Sequence, residues 1–167
     1  MHIGKAFDLE YGGLSKRDLL KKLHSSNILL NEFAKTIFSS ELFSVSNQRQ
    51  QISVIVRSIR ELGFSKGATI PQIEQCMQIF KLSECPIEVA PYLRLYLRNQ
   101  KEINEETKHR APFGSLTIFS TPLTKDDNFP KGFYLRKCSG RLWLRGYCCS
   151  LDHIWDPYDE LVFQVNS

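Results

Sequence analysis

With 167 residues, 42% of them hydrophobic and 24% charged, the chain is long enough to bury one core, and it lacks the compositional bias of disordered or fibrous proteins. Its net charge of +4 is only mildly basic, so the charge of the whole molecule gives weak grounds for a polyanionic partner. The start MHIGKAFDLEYGG lacks the apolar core of a signal peptide, and no run approaches the ~18 apolar residues of a membrane span. We therefore expect a soluble cytoplasmic protein without membrane association, with export by a specialised machine that reads no cleavable signal as the open alternative.

Five cysteines occur at irregular spacing in a chain that is large enough to fold without cross-links. An odd number favours free thiols in a reducing compartment over a disulfide framework, which agrees with a cytoplasmic location. The five are Cys76, Cys85, Cys138, Cys148 and Cys149.

The first part of the chain has the pattern of two helices. In LSKRDLL, Ser15 and Asp18 have the spacing of a capping box, and Leu14 and Leu19 that of a hydrophobic staple, which predicts a helix over about residues 15–24. The next apolar residues recur at intervals of three and four, which predicts a second helix that packs antiparallel to the first across the link SSN. The apolar residues of this second pattern, all expected on its buried face, are Leu29, Leu30, Phe33, Ala34, Ile37 and Phe38.

The middle of the chain holds an ambiguous segment and then a third helix. ISVIVRSIREL fits a helix by its spacing, but its dense β-branched residues favour a strand, and we interpret it as a strand. After the turn GFSKG, Thr69 and Gln72 have the spacing of a capping box, which predicts a helix over about residues 70–81.

From Pro86 onward the pattern changes to alternation. In YLRLYLR every second residue is leucine, which predicts a half-buried strand, although Pro91 could equally open a short helix. The polar stretch NQKEINEETKHRAP predicts a surface loop, and SLTIFS predicts a strand. GFYLRKCSGRLWLRGY predicts a hairpin that turns at Ser139 and Gly140, and ELVFQV predicts a last strand.

The order of these elements predicts an α+β fold in which N-terminal helices pack on a mostly antiparallel C-terminal sheet. We expect a single domain over residues 1–167, with its helical part at about residues 14–82 and its sheet part at about residues 86–167. No internal repeat or low-complexity tract interrupts this division.

Four blocks of the C-terminal half resemble a small family of uncharacterised bacterial proteins: ECPIEVAPYLRLYLRNQ, APFGSLTIFSTPL, DDNFPKGFYLRKCSGRLWLRGY and DHIWDPYDELVF. Weaker similarity extends to LLKKL and LNEFA. Members of that family sometimes carry a helicase label, but this chain lacks the GxxxxGK[ST] phosphate loop and is too short for a motor. The resemblance implies a coherent bacterial domain and carries over no catalytic residue, cofactor or substrate.

Cysteine and histidine lie close together in CCSLDH. Cys148 or Cys149 could act there as a nucleophile with His153 as its base, oriented by Asp152 or Asp156. The thiols follow a predicted strand instead of opening a helix, so structural thiols are the favoured interpretation and no catalytic residue is predicted.

The candidate metal sites are weaker still. Cys138, Cys148 and His153 offer neither a CxxC pair nor a fourth ligand, which argues against zinc. The acidic stretch DHIWDPYDE and the pair Asp126 and Asp127 lack the regular spacing of a calcium loop and are typical of turns. The glycines of GKAFDLEYGG do not have the spacing of a phosphate loop either. We expect no metal and no cofactor.

The strongest functional signal is the alternation within the hairpin. If the serine and glycine of KCSGRL form its loop, arginines face aromatic rings across the strands, Arg136 with Trp143 and Tyr134 with Arg145. The leucines then lie on the opposite side and cover the helices, while the arginines and rings stabilise one another by cation–π contacts. This structural interpretation is the favoured one.

A binding interpretation of the same face depends on its local charge. The stretch KGFYLRKCSGRLWLRGYCCS contains five basic residues and no acidic one. We expect a non-enzymatic intracellular binding module in which rings stack bases and arginines contact phosphates of single-stranded nucleic acid. An acidic protein partner is the alternative, because it would use the same residues, and a thiol-dependent enzyme is the third hypothesis. If YLRLYLR joins the same sheet, the predicted binding residues are Tyr92, Arg94, Tyr96, Arg98, Tyr134, Arg136, Trp143 and Arg145.

Overall fold

The computed structural model describes residues 4–102 and 114–166. Within these residues there are four helices, α1 (Lys16–Ser25), α2 (Glu32–Ser39), α3 (Ile70–Met77) and α4 (Val89–Tyr96). The same residues form eight strands, β1 (Phe7–Gly12), β2 (Ile28–Leu30), β3 (Arg49–Ser58), β4 (Leu82–Ser83), β5 (Leu116–Ile118), β6 (Gly132–Cys138), β7 (Arg141–Tyr147) and β8 (Glu160–Val165). The chain therefore has an α+β fold, as its sequence predicted.

One sheet contains all the strands of the described residues. Their order is β1-β3-β8-β5-β6-β7-β2, and β4 pairs with β8 beside this path. Most neighbours are antiparallel, but β5 pairs with β8 and β2 pairs with β7 in parallel, so the sheet is mixed. The expected order of helices first and sheet second is wrong in this detail, because β1, β2 and β3 all precede α3. Their hydrogen-bonding partners include distant C-terminal strands, which a local pattern does not reveal.

The start of α1 is confirmed. The Ser15 side-chain oxygen accepts a hydrogen bond from the backbone N–H of Asp18 at 3.1 Å. Leu19 and Leu23, one turn apart, are fully buried on the side of α1 that faces the core.

The second helix is shorter than its pattern predicted, because Leu29 and Leu30 belong to β2, which also separates α1 from α2. Asn31 begins α2: its Oδ1 accepts from the N–H of Ala34 at 2.9 Å and from the N–H of Gly146 at 2.8 Å. Its Nδ2 donates to the carbonyl of Gly146 at 3.0 Å. One side chain thus caps the helix and holds it against β7.

Burial on α2 departs from the predicted face at one position. Ala34 and Ile37 are fully buried, but Phe33 is 45% exposed, so its predicted burial is wrong. A Cβ atom at Gly146 would lie 2.7 Å from the carbonyl carbon of Phe33 and 2.8 Å from the nitrogen of Ala34. Because the backbone of α2 itself packs on β7 here, the Phe33 ring stays largely in solvent.

The middle of the chain forms the strand and the helix that its sequence predicted. ISVIVRS lies in β3, which confirms the interpretation as a strand. α3 begins after Thr69, whose N–H donates to Oε1 of Gln72 at 2.8 Å, as the capping-box spacing predicted. The helix ends at Met77, short of the predicted residue 81, and Lys81 has a left-handed φ of 53° before β4.

YLRLYLR is a helix and not a strand, so this prediction is wrong and the alternative of a short helix is confirmed. Pro91 lies in the first turn of α4, where a missing N–H breaks no intrahelical hydrogen bond. Leu93 and Leu97, four residues apart, are buried, and the N–H of Leu97 donates to the carbonyl of Leu93 at 2.8 Å.

The C-terminal strands agree with the sequence. β6 and β7 form the predicted hairpin, and SLTIFS and ELVFQV contribute β5 and β8. Ser139 and Gly140 form the turn with φ of 50° and 71°, the left-handed geometry of a tight two-residue hairpin loop. Most of the loop predicted for NQKEINEETKHRAP falls at residues 103–113, outside the described residues.

Two clusters of buried apolar side chains lie on opposite faces of the sheet. Along β8, Val162 belongs to the first cluster, whereas Leu161 and Phe163 belong to the second, as alternation along a strand requires. Side chains of α1, α2 and α4 complete the first cluster, and α3 and Trp155 complete the second. The single domain over the whole chain stays a prediction.

Candidate functional site

Four side chains of β6 and β7 form the surface that the alternation predicted. The register pairs Tyr134 with Arg145 and Arg136 with Trp143, and we call these four residues the hairpin face. On the opposite side of the same strands, Leu135 and Leu144 are fully buried in the first core cluster, and Leu142 packs partly buried against it; this cluster also contains side chains of α2 and α4. The predicted orientation, with leucines inward, is confirmed.

The arginine of β7 binds both rings of the hairpin face. The Arg145 guanidinium carbon lies 5.2 Å from the ring centre of Trp143 and 5.8 Å from that of Tyr134, so the predicted cation–π contacts are confirmed. Tyr134 is 9% exposed, while Arg136, Trp143 and Arg145 are half-buried. Burial raises the pKa of the Tyr134 hydroxyl, and the two arginines act in the opposite direction. Trp143 is therefore the ring that this face offers to solvent.

The two arginines of the hairpin face are short of polar partners. Nε of Arg136 and Nε of Arg145 are both buried, and neither has a hydrogen-bond partner among the described residues. The ion pairs found in residues 4–102 and 114–166 do not include either guanidinium. Two positive charges on one face without a carboxylate partner there make that face electropositive.

The ends of the hairpin modify this charge. Lys131 is neutralised, because its ammonium lies 3.1 Å from the Asp127 carboxylate. At the other end, the Glu102 carboxylate accepts from the N–H of Gly140 at 2.9 Å. Arg141, the residue after Gly140, is exposed to solvent. Lys137 pairs with Leu142 and therefore lies on the leucine side of the strands, so the positive charge on the side of the hairpin face is that of Arg136, Arg141 and Arg145.

The other four predicted binding residues do not extend the hairpin face. Because they lie in or directly after α4, whose buried leucines belong to the first core cluster, they are on the leucine side of β6 and β7. The expected continuous sheet surface is therefore wrong. These residues are Tyr92, Arg94, Tyr96 and Arg98.

Arg94 is a structural residue in this arrangement. It is 0% exposed, and its guanidinium donates to the carbonyl of Leu97 and to Oε1 of Gln100. It also lies 3.4 Å from the carbonyl oxygens of Arg136 and Trp143, so it ties the end of α4 to the hairpin backbone. Burial lowers the pKa of this guanidinium to about 10. A ligand in solvent has no access to it.

Tyr92, Tyr96 and Arg98 line a different feature, an open cleft of about 520 Å³ between α4 and β1. The Tyr96 ring stacks on Phe7 with 5.6 Å between ring centres and 10° between planes. The Arg98 guanidinium donates to the carbonyl of Ser26 at 3.2 Å. Each of these contacts joins separate segments of the fold, so Tyr96 and Arg98 have structural roles that do not require a ligand.

The thiols of CCSLDH have the wrong electrostatics for a nucleophile. Burial raises the pKa of Cys148, and it raises that of Cys149 to about 11, against a smaller opposing effect of Lys131. The His153 ring packs edge-on against Trp155 at 5.3 Å, and the Asp152 carboxylate accepts from the hydroxyl of Ser150. These contacts give no support to the third hypothesis, a thiol nucleophile with His153 as its base.

The acidic stretches form turns. The carboxylate of Asp159 accepts from the N–H of Asp156 at 2.8 Å, and that of Asp126 accepts from the N–H of Asn128 at 2.9 Å. No group of three or more metal-ligating side chains comes together in the part of the chain that the structure describes. Nor does any helix among those residues have the length and apolarity needed to cross a membrane.

Sequence reasoning missed one concave feature, a cleft lined by Glu74, Glu84, Ser120 and Lys131 among others. Its walls come from separate segments between Ile70 and Leu151, so no local motif could have indicated it.

We compared the chain with known protein families, with curated proteins and with solved structures, and none of these three comparisons found a match.

Proposed function

We propose that the chain is a non-enzymatic binding module that holds single-stranded nucleic acid on the hairpin face. The observation that carries the proposal is the juxtaposition of Trp143, which is partly exposed, with two arginines that have no carboxylate partner among the described residues. A ring with a guanidinium on it offers a base a stacking surface and offers the adjacent phosphate a positive charge.

The number of stacking and phosphate contacts sets the expected affinity for nucleic acid. Stacking of one base on one ring contributes about 1–3 kcal/mol, and Tyr134 is too buried to act as a second platform. Arg136, Arg141 and Arg145 supply three phosphate contacts. At about 0.7 counterions per contact on a single strand, log affinity should fall against log salt with a slope of about −2. Binding is therefore weak and loses about twentyfold between about 50 and 200 mM salt.

The test is fluorescence anisotropy of a labelled oligothymidylate across a salt series. Arg136→Ala with Arg145→Ala should reduce the slope by more than half, because two of the three phosphate contacts disappear. Trp143→Ala should weaken binding at every salt concentration and leave the slope nearly unchanged. The matched control is Arg17→Ala with Lys21→Ala, which removes two exposed cations of α1 and should change neither quantity.

The outcome also separates the proposal from its alternative. An acidic protein partner becomes the better hypothesis if the wild type fails to bind the oligonucleotide at low salt. If the α1 control and the double arginine variant lose the same amount of affinity for the oligonucleotide, the binding is general attraction to a cationic surface and not a specific site.

A further inference from the structure

A cleft of about 620 Å³ opens on the side of the sheet that carries the second core cluster. Its walls are the start of α3, the residue after β4, the segment from Phe119 to Lys131 and the end of β7. This volume lies in the range of small-molecule sites, which bury most of a drug-sized ligand.

The cleft has an apolar interior. Phe119 is 4% exposed, and the Tyr147 ring is deep enough that burial raises the pKa of its hydroxyl strongly. Ile70 and Leu123 contribute further apolar wall, and Leu151 at the rim is 66% exposed. A large aliphatic side chain exposed at the mouth of an apolar cleft gains free energy when a ligand covers it.

Two carboxylates on one wall supply negative charge. Glu74 projects from α3 and Glu84 follows β4, and the Glu84 carboxylate accepts from the Thr121 hydroxyl. Partial burial, and after it the negative charge of Glu84, raises the pKa of Glu74. Neither carboxylate takes part in an ion pair within residues 4–102 and 114–166. Among the described residues, no cation therefore balances the negative charge of this wall.

Ser120 provides an independent indication of a ligand. It lines the cleft and is 8% exposed, and its hydroxyl has no hydrogen-bond partner among the described residues. A Cβ atom at Gly132 would lie 3.1 Å from the Ser120 oxygen, so the glycine leaves space beside this hydroxyl. A buried hydroxyl without a partner costs free energy that a polar ligand atom can recover.

Two lysines line the cleft: Lys125 is exposed to solvent, and Lys131 is buried and already paired. Lys131 is 8% exposed, its ammonium lies 3.1 Å from the Asp127 carboxylate, and it donates to the carbonyl of Asp126 at 3.2 Å. An anionic ligand would meet Lys125 and an already paired Lys131, whereas a cation would meet Glu74 and Glu84, neither of which has an ion-pair partner within residues 4–102 and 114–166. Charge complementarity therefore favours a positively charged ligand.

We propose that this cleft binds a small organic cation, an aromatic or aliphatic body that packs on Phe119 and Tyr147 and carries an ammonium group held by Glu74 and Glu84. The Ser120 hydroxyl accepts a hydrogen bond from the same ammonium. This site is on different residues from the hairpin face and has the opposite charge preference, although the two are neighbours, because the Tyr147 ring contacts that of Tyr134 edge-on with 6.4 Å between ring centres.

Heteronuclear NMR titration of the full chain with phenethylamine tests the site. We expect saturable shifts of the amides of Ile70, Thr121 and Ser150, and no comparable shifts of the amides of Arg136 and Trp143 on the hairpin face. Glu74→Gln with Glu84→Gln should weaken binding at least about tenfold, because the ammonium loses both charges. Glu32→Gln, an exposed carboxylate on α2, is the matched control and should bind as the wild type does.

Hydrocinnamate, which replaces the ammonium with a carboxylate on a similar body, is the ligand control and should bind much more weakly. Equal binding of hydrocinnamate and phenethylamine would overturn the charge assignment. Absence of shifts at the lining amides up to the solubility limit of phenethylamine would overturn the site. The spectrum of each variant without ligand reports whether it is folded, so a lost site and a lost fold are distinguishable.

Discussion

Two segments of this chain carry nearly the same pattern and fold differently. YLRLYLR and GFYLRKCSGRLWLRGY both alternate leucine with arginine or an aromatic residue, but the first lies in a helix and the second forms two antiparallel strands. In the hairpin the alternation divides two faces of a sheet. In α4 the same alternation buries Leu93 and Arg94 together and leaves Tyr96 57% exposed.

The difference lies in the neighbouring residues. The hairpin contains Ser139 and Gly140, whose left-handed φ values close a two-residue loop and fix the register over the whole strand pair. α4 has Val89 and Ala90 before its leucines, and both are fully buried at helical spacing from Leu93. Seven alternating residues are compatible with either structure, so the flanking turn or the flanking apolar residues decide.

The strongest test of this contrast is a pair of leucines in α4. As a strand, Leu93 and Leu95 would be equivalent, but in the helix Leu93 is fully buried and Leu95 only partly so. Leu93→Ala should therefore reduce the free energy of unfolding by about 2–5 kcal/mol, and Leu95→Ala by clearly less. Urea denaturation of the two variants measures this, and equal losses would restore the interpretation as a strand.

A second test compares the arginines of the same segment. Arg94→Met removes the donor to the buried carbonyl of Leu97 and the two 3.4 Å contacts to the carbonyls of Arg136 and Trp143, which should cost about 1–3 kcal/mol of stability. Arg98 is exposed, so Arg98→Met should change stability by less than about 0.5 kcal/mol. If both variants unfold at the same urea concentration, the proposed tie between α4 and the hairpin does not exist.

A third test addresses the turn that fixes the hairpin. No atom lies within 4 Å of a Cβ built at Gly140, so Gly140→Ala introduces only the strain of its φ of 71°. The expected loss is about 1 kcal/mol. Gly140→Asn should lose less, because asparagine tolerates this conformation, and thermal unfolding compares the two. A larger loss for Asn than for Ala would contradict the role assigned to the backbone.

The smallest effect is expected at the end of the hairpin. Because burial raises the pKa of Cys148 and holds that of Cys149 at about 11, both thiols are almost wholly protonated at neutral pH. Iodoacetamide should modify them slowly, faster as pH rises, and at the same rate in a His153→Ala variant. Rapid labelling that depends on His153 would instead favour the thiol-dependent enzyme.

The sequence predicted local features of the fold and missed its long-range ones. The register of β6 and β7, the inward leucines and the contacts of Arg145 all follow from one turn and an alternating pattern. The parallel pairing of β2 with β7 does not, because it joins residues such as Leu29 and Trp143 that are far apart in the chain. For the same reason the local pattern predicts Leu29 and Leu30 as the start of α2 and not as a strand.

The candidate sites divide in the same way. The hairpin face is contiguous in sequence, so its four residues could be named from the pattern. The role of Arg94 depends on carbonyl oxygens of two distant strands, β6 and β7, and the cleft with Glu74 and Ser120 is assembled from separate parts of the chain. Neither the contacts of Arg94 nor the cleft produces a sequence motif with a fixed spacing.

The central claim, that a base stacks on the hairpin face, is tested most directly by tryptophan fluorescence. The chain has two tryptophans, Trp143 on that face and Trp155 at 4% exposure in the second core cluster. In the Trp155→Phe variant, Trp143 is the sole tryptophan. Oligothymidylate should quench its fluorescence emission, and the quenching should decrease as salt is added. In Trp143→Phe the emission of Trp155 should not change. Quenching of Trp155 alone, or of neither tryptophan at low salt, would contradict the account.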